Sequence, residues 1–174
     1  LKAGEVHALL GENGAGKSTL IKVLGGIYKR DGGEIVINGE KVDINGVKDA
    51  EKYGISIIHQ EIVLVPEMSI ADNIYLGKEL GPSGRIDRAT MRKTTQELLD
   101  SFDMGLSATD KISSLNIAQQ QMIEIIRATF SKAKIIVMDE PTSSLSDKEV
   151  DALFDTIRKL TAQGIGIIYI SHRM

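Results

Sequence analysis

Gly11-Glu12-Asn13-Gly14-Ala15-Gly16-Lys17-Ser18 matches the pattern G-x-x-x-x-G-K-[ST] in full. Successive backbone N–H groups in such a loop curl around a β-phosphate, helped by the N-terminus of the following helix. Lys17 adds a point charge that reaches the β- and γ-phosphates, and the Ser18 hydroxyl can ligate Mg²⁺. A second chemical feature follows the apolar run Ile135-Ile136-Val137-Met138, which ends in Asp139-Glu140. Beside a phosphate loop, the strand made by such a run turns its last carboxylate towards the metal. Asp139 would then hold Mg²⁺, mostly through water, and Glu140 would polarise an attacking water. Taken alone, Asp139-Glu140-Pro141-Thr142 reads as the start of a loop; the phosphate loop reverses that weighting. Gln60, Gln119 and His172 are weak signals individually, although His172 ends a strand on the edge where open α/β folds place ligands. His7 and His59 read as structural.

The elements that must position these residues alternate. Glu5–Leu10 reads as a buried strand leading into the loop, and Lys17 to about Leu24 as a helix ended by Gly25-Gly26. Glu34–Ile37 and Glu40–Val42 flank Asn38-Gly39, the strongest two-residue hairpin signal. A short helix over Val47–Tyr53 and a strand over Ile55–Ile58 lead to His59-Gln60-Glu61. Residues 61 to about 130 show three helical patterns and no convincing strand. The first is capped by Ser69 and ends at Gly77, and the second spans Thr90–Phe102. The third spans Asn116–Phe130, with Ala118, Met122, Ile125, Ile126 and Thr129 on one face. Gly81-Pro82-Ser83-Gly84 reads as a turn. Strand character returns at Ile135–Met138 and Ile165–Ile170, with a helix between them capped by Ser146-Asp147, running through Leu160 and ended by Gly164. Strands alternating with helices imply a mostly parallel α/β sheet, with the helical block inserted into it.

Composition agrees with one globular unit of 174 residues. Ten of 17 glycines fall in the first 46 residues, the region of the phosphate loop. Cysteine is absent, which excludes disulfides, thiol catalysis and Cys-ligated zinc. A net charge of −3, no tryptophan and 4% aromatics argue against a nucleic-acid surface, and no nucleic-acid partner is expected. No apolar run approaches the length of a membrane span.

The order of these motifs resembles that of ATP-binding-cassette (ABC) ATPases over essentially the whole chain. It is most similar to ATPase subunits of carbohydrate importers of the ribose/galactose/arabinose type, and there to the N-terminal cassette of tandem-cassette subunits. The residues carrying the likeness are His7 to Leu20, His59-Gln60-Glu61, Gln119-Gln120-Gln121-Met122-Ile123-Glu124-Ile125 and Tyr169 to Met174. The resemblance implies a phosphate-loop NTPase (RecA-like) α/β core with a mostly parallel sheet and N-terminal antiparallel hairpin elements. The core would comprise residues 1–60 and 131–174, and an α-helical subdomain residues 61–130. Gly11, Asn13, Gly14, Ala15, Gly16, Lys17, Ser18 and Thr19 would hold the phosphates of ATP. Ser18, Gln60 and Asp139 would face Mg²⁺, and Glu140 would be the catalytic carboxylate. Gln60 would be the Q-loop residue, Ser143–Ser146 the D-loop, and His172 the switch histidine at the γ-phosphate.

The family signature Leu-Ser-Gly-Gly-Gln stands here as Leu115-Asn116-Ile117-Ala118-Gln119 and would act in trans, on nucleotide held by a second cassette in the same chain or in a dimer. Asn116 retains the ability to cap the helix. The D-loop has Ser146 where the family usually has Asp. The resemblance further implies a peripheral subunit on the cytoplasmic face of the inner membrane, working with separate membrane permease subunits. Ile62-Val63-Leu64-Val65-Pro66 and Met68 stand where the family receives a permease helix, and read equally well as core of the helical insertion. The family's adenine-stacking aromatic would precede Leu1 and its C-terminal strands would follow Met174, so the chain is expected to be the middle of a cassette with weakened affinity for ATP. The competing readings are a non-transport ABC-type ATPase of DNA repair or translation, and a regulatory nucleotide-binding module without turnover.

Overall fold

The computed structural model describes residues 1–12, 14–82 and 85–171. Asn13, His172 and the Ser83-Gly84 half of the expected turn lie outside the described residues. In chain order the elements are β1 (Val6–Leu10), α1 (Lys17–Leu24), β2 (Ile35–Ile37), β3 (Glu40–Val42), α2 (Val47–Lys52), β4 (Ile55–Ile58), α3 (Ile70–Ile74), α4 (Arg88–Ser101), a 3₁₀ turn (Ile112–Ser114), α5 (Ile117–Phe130), β5 (Ile135–Asp139), α6 (Asp147–Ala162) and β6 (Gly166–Ser171).

Four of the strands form one parallel sheet in the order β1-β6-β5-β4, with Val6 opposite Ile167, Ile136 opposite Ile167, and Ile58 opposite Met138. The chain steps from β1 across to the far edge and returns strand by strand, so all four strands end on the same edge. The strand ending in Asp139 is separated by β6 from the strand that leads into the phosphate loop. The Gly166–Ser171 run is apolar and equally β-prone, and strand order is decided by crossovers that no local pattern encodes. The separate β2–β3 pair is antiparallel and turns at Asn38 and Gly39, whose φ angles of 54° and 84° are those the two-residue hairpin turn requires.

Burial follows the pleat. Ile136, Val137 and Met138 are all fully buried, and neighbouring side chains on a strand point to opposite faces. Ile136 and Met138 join a cluster with α3, α4, α5 and α6, whereas Val137 joins Ile21 of α1, Val42 and Ala50 of α2. The sheet is therefore covered on both faces, which explains why β5 reads as a continuous apolar run. Along the edge strand β1, Val6 and Leu10 are about half exposed, at 47% and 53%.

Several boundaries differ from those expected. α4 begins at Arg88 rather than Thr90, because Asp87 is the cap: its carboxylate accepts from the Thr90 N–H at 3.0 Å and from the Thr90 hydroxyl at 2.7 Å. α6 continues to Ala162, past Leu160. The single apolar face expected for the third helix is also corrected. α5 buries Gln121, Ile123, Glu124, Ile125, Ile126 and Ala128, a nearly complete circuit, because it is packed between the sheet and the other helices.

Candidate functional site

The phosphate loop joins β1 to α1. Gly14 and Gly16 have φ angles of 86° and 89°, and a Cβ at either position would meet nothing within 4 Å. Glycine is required there by the backbone turn, which other L-residues resist, and not by lack of space. Gly16 is the N-cap of α1, so the free N–H groups of the first turn face the loop. The Lys17 ammonium bends back across the loop and donates to the carbonyls of Gly11 at 2.6 Å and Glu12 at 2.9 Å. Gly14, Ala15, Gly16, Ser18 and Thr19 are exposed, and Gly11 and Lys17 are half-buried.

Asp139 ends β5 at the same edge. Burial raises its carboxyl above the ordinary range, and the neighbouring Glu140 charge raises it further. Lys17 and His59 pull it the other way. The parallel strands place Asp139 and the phosphate loop at one edge of the sheet, near enough for Lys17 to act on the Asp139 carboxyl although their strands are not adjacent. His59, read as structural from the sequence, acts on the same carboxyl from directly after β4. Glu140 has a positive φ of 51°, unusual for a residue with a side chain. Its N–H donates to the Ile170 carbonyl at 3.1 Å and its carbonyl accepts from the Ser143 N–H at 3.2 Å. The turn after β5 is thereby fastened to β6. The hydroxyls of Thr142 and Tyr169, 3.0 Å apart, add a second fastening. Gln60 is exposed, two residues beyond the end of β4.

The Leu115–Gln119 segment begins α5. The Asn116 side chain accepts from the Gln119 N–H at 2.8 Å, and the Gln119 side chain accepts from the Asn116 N–H at 3.0 Å. This reciprocal cap is the one expected of Asn116. Leu115 is buried, Asn116 and Ile117 are exposed, and Ala118 and Gln119 are half-buried. Asn116, Ala118 and Gln119 line a cleft with Leu145 and Glu149, and none of the described phosphate-loop residues lines it. Ser146 caps α6, with both its N–H and hydroxyl donating to Glu149, at 2.8 and 2.7 Å. Between Gln60 and α3, Val63 and Val65 are exposed, at 58% and 38%, and Leu64 packs against the core.

Of the buried polar residues, Asn73 and Glu124 bond to the segment after Gln60, and the sequence assigned neither that role. Asn73 is fully buried and bonded to Val65 and Ser69. Glu124 is 4% exposed and bonded to Val63. A carboxylate set among Ile123, Ile125 and Ile126 was the signal for the second.

The family model described as "ABC transporter" matches residues 1–143. The chain belongs to the ABC transporter family. This ABC-family chain is 53% identical over 176 positions to a galactose/methyl galactoside import ATP-binding protein of Photobacterium profundum, covering 100% of the chain and 35% of that protein. It is 49% identical to a ribose import ATP-binding protein of Burkholderia pseudomallei, covering 98% of the chain and 34% of that protein. The chain thus spans about a third of the length of these curated relatives. Among solved structures, a nucleotide-free ATP-binding cassette from an ABC transporter superposes with a TM-score of 0.86 at 26% identity, over 99% of this chain and 72% of that one. No helix among the described residues is long and apolar enough to cross a membrane.

Proposed function

We propose that this chain is part of an ATP-hydrolysing subunit that energises import of a sugar through separate membrane permease subunits. The observation that supports the reading is that the Gly11–Ser18 loop follows β1 and that Asp139 and Glu140 stand at the end of β5, at the same edge of one parallel sheet. The import ATP-binding names of the relatives favour sugar transport over a repair or translation ATPase.

The loop amides and Lys17 would bind the triphosphate, with Asn13 and Thr19 as further contacts. Ser18, Gln60 and Asp139 offer oxygen donors only, which suits Mg²⁺. Among the described residues no three His, Cys, Asp or Glu side chains gather as a metal cage. Held by Ser18, Gln60 and Asp139, Mg²⁺ would neutralise charge on the β- and γ-phosphates. Glu140 orients a water in line with the γ-phosphorus and takes its proton as the new P–O bond forms. The bond to the β–γ bridging oxygen breaks, giving ADP and phosphate. Lys17 and the loop amides stabilise the charge that develops on the oxygens. His172 would add a γ-phosphate contact.

In this reading residues 1–60 and 131–174 form the nucleotide-binding core and residues 61–130 a helical subdomain. Leu115–Gln119 serve the nucleotide of a second cassette; Asn116, Ala118 and Gln119 line a cleft that no described phosphate-loop residue shares. Exposed Val63 and Val65 offer apolar contact to a permease helix, and Leu64 belongs to the core. The subunit works peripherally on the cytoplasmic face of the membrane. In the full-length protein carrying this chain, Glu140→Gln is expected to slow phosphate release about 100-fold or more while ATP binding is retained. Unchanged turnover would remove Glu140 from the reaction.

A further inference from the structure

The segment after Gln60 has no regular secondary structure, yet its backbone is held at two points by buried side chains. At Val63, the N–H donates to Glu124 Oε1 at 2.8 Å, and the carbonyl accepts from Arg127 at 3.1 Å. Both partners lie on α5, three residues apart and one helical turn from each other. At Val65, both backbone groups bond to Asn73 of α3, at 2.8 and 3.1 Å. Upstream, Ile58 is fixed in the sheet opposite Met138. Gln60 therefore lies in the short stretch 59–62, between a main-chain anchor at β4 and a side-chain anchor on α5.

Glu124 is an expensive residue to use for this purpose. It is 4% exposed, its Oε2 has no hydrogen-bond partner among the described residues, and Arg127 stands 3.7 Å from Oε1. Burial raises its carboxyl above the ordinary range against the opposing effects of Val63 and Arg127. Glu124, Arg127 and Asn73 also line a cleft of about 260 Å³ bounded by β4, α2, α3 and α5, whose lining extends to His59. The position at Val63 of this strap after Gln60 therefore rests on hydrogen bonds more than on apolar packing, because the Val63 side chain itself is exposed.

We infer that Glu124 is a positioning residue for Gln60: by holding Val63 to α5 it fixes the stretch that presents Gln60 to the nucleotide site. The inference rests on the proposed ATPase reading and adds to it a residue that touches neither nucleotide nor metal. It also links the helix that begins with the Leu115–Gln119 segment to the Gln60 side of the site through a bond that can open without breaking a strand or helix.

The test is steady-state ATP hydrolysis by the full-length protein with Glu124→Leu, Glu124→Gln, Gln60→Ala and the Gln60→Ala/Glu124→Leu pair. Thermal unfolding and hydrogen exchange at the Val63 amide are read on the same samples. Leu fills the buried volume without an acceptor, so the expected result is a kcat about tenfold lower with KM for ATP within about twofold. The Tm holds or rises, since a half-satisfied buried carboxylate has gone, and Val63 amide exchange accelerates. Glu124→Gln keeps the acceptor and retains most of kcat and of the protection. The double variant is no slower than Gln60→Ala alone, as expected if Glu124 acts through Gln60. Unchanged kcat in Glu124→Leu, kcat and Tm falling together, or effects that multiply in the double variant would overturn the inference. Absence of hydrolysis by the unmodified protein would instead overturn the ATPase reading, and this inference with it, while Val63 exchange would still report whether the bond exists.

Discussion

Replacing Asn73 tests how the segment between Gln60 and α3 is held. Asn73 is fully buried and makes three side-chain bonds. Its Oδ1 accepts from the Val65 N–H at 2.8 Å, and its Nδ2 donates to the carbonyls of Val65 at 3.1 Å and Ser69 at 3.0 Å. At about 1 kcal/mol net for each bond, Asn73→Ala is expected to cost about 3 kcal/mol. That is a large share of the roughly 5–15 kcal/mol that holds a typical domain. Asn73→Asp is the sharper perturbation, because it keeps the shape and the acceptor for Val65 but turns an acceptor towards two carbonyl oxygens. A buried carboxyl without a cation titrates roughly 3 pH units above its ordinary value, and at about 1.4 kcal/mol per unit the neutral-pH penalty is about 4 kcal/mol. The folded state of this variant binds the extra proton, so its stability relative to the parent falls as pH rises above the ordinary carboxylate range. Below about pH 4 the protonated acid donates one bond and most of the penalty disappears. Urea unfolding at pH 4 and pH 8 measures this, followed by circular dichroism because the chain has no tryptophan. A loss below 1 kcal/mol for Asn73→Ala, or a pH-independent loss for Asn73→Asp, would show that the Asn73 bonds do not hold the strap.

Two further substitutions probe the site's supports. Gly26 has φ 72°, and a Cβ there would lie 2.4 Å from the backbone C and O of Gly46, the N-cap of α2. Gly26→Ala is therefore expected to cost about 3 kcal/mol, from the left-handed backbone and forced separation of α1 from α2, and a midpoint shift in urea measures it. Asp139→Asn removes a carboxyl whose folded-state pKa is raised mainly by burial. The unliganded protein is expected to gain stability at neutral pH while losing hydrolysis, and the gain should shrink as pH falls through the carboxylate range; a constant gain in thermal melts from pH 4 to 8 would contradict it.

What the sequence determined by itself was local. The phosphate loop needs positive φ at Gly14 and Gly16, and eight consecutive residues carry both the turn and the chemistry. The Asn38-Gly39 hairpin and the Ser69, Asn116 and Ser146 caps are likewise written within three or four residues of where they act. The family was legible because the phosphate loop, His59-Gln60-Glu61, the Gln119–Ile125 run and the Tyr169–Met174 run follow one another in a fixed order. The tertiary structure alone decided which distant elements meet. Strand order is one case: β6 stands between β1 and β5, and only chain crossovers determine that. The meeting of Asp139 with Lys17 and His59 is another, since it depends on three strand ends reaching one edge. The third is the pair of buried side chains, Glu124 and Asn73, that hold the strap after Gln60. In sequence they are a polar residue in an apolar helix and an asparagine near a helix start. Their partners at Val63 and Val65 are backbone groups, which every residue carries alike, so the side-chain pattern holds no trace of them.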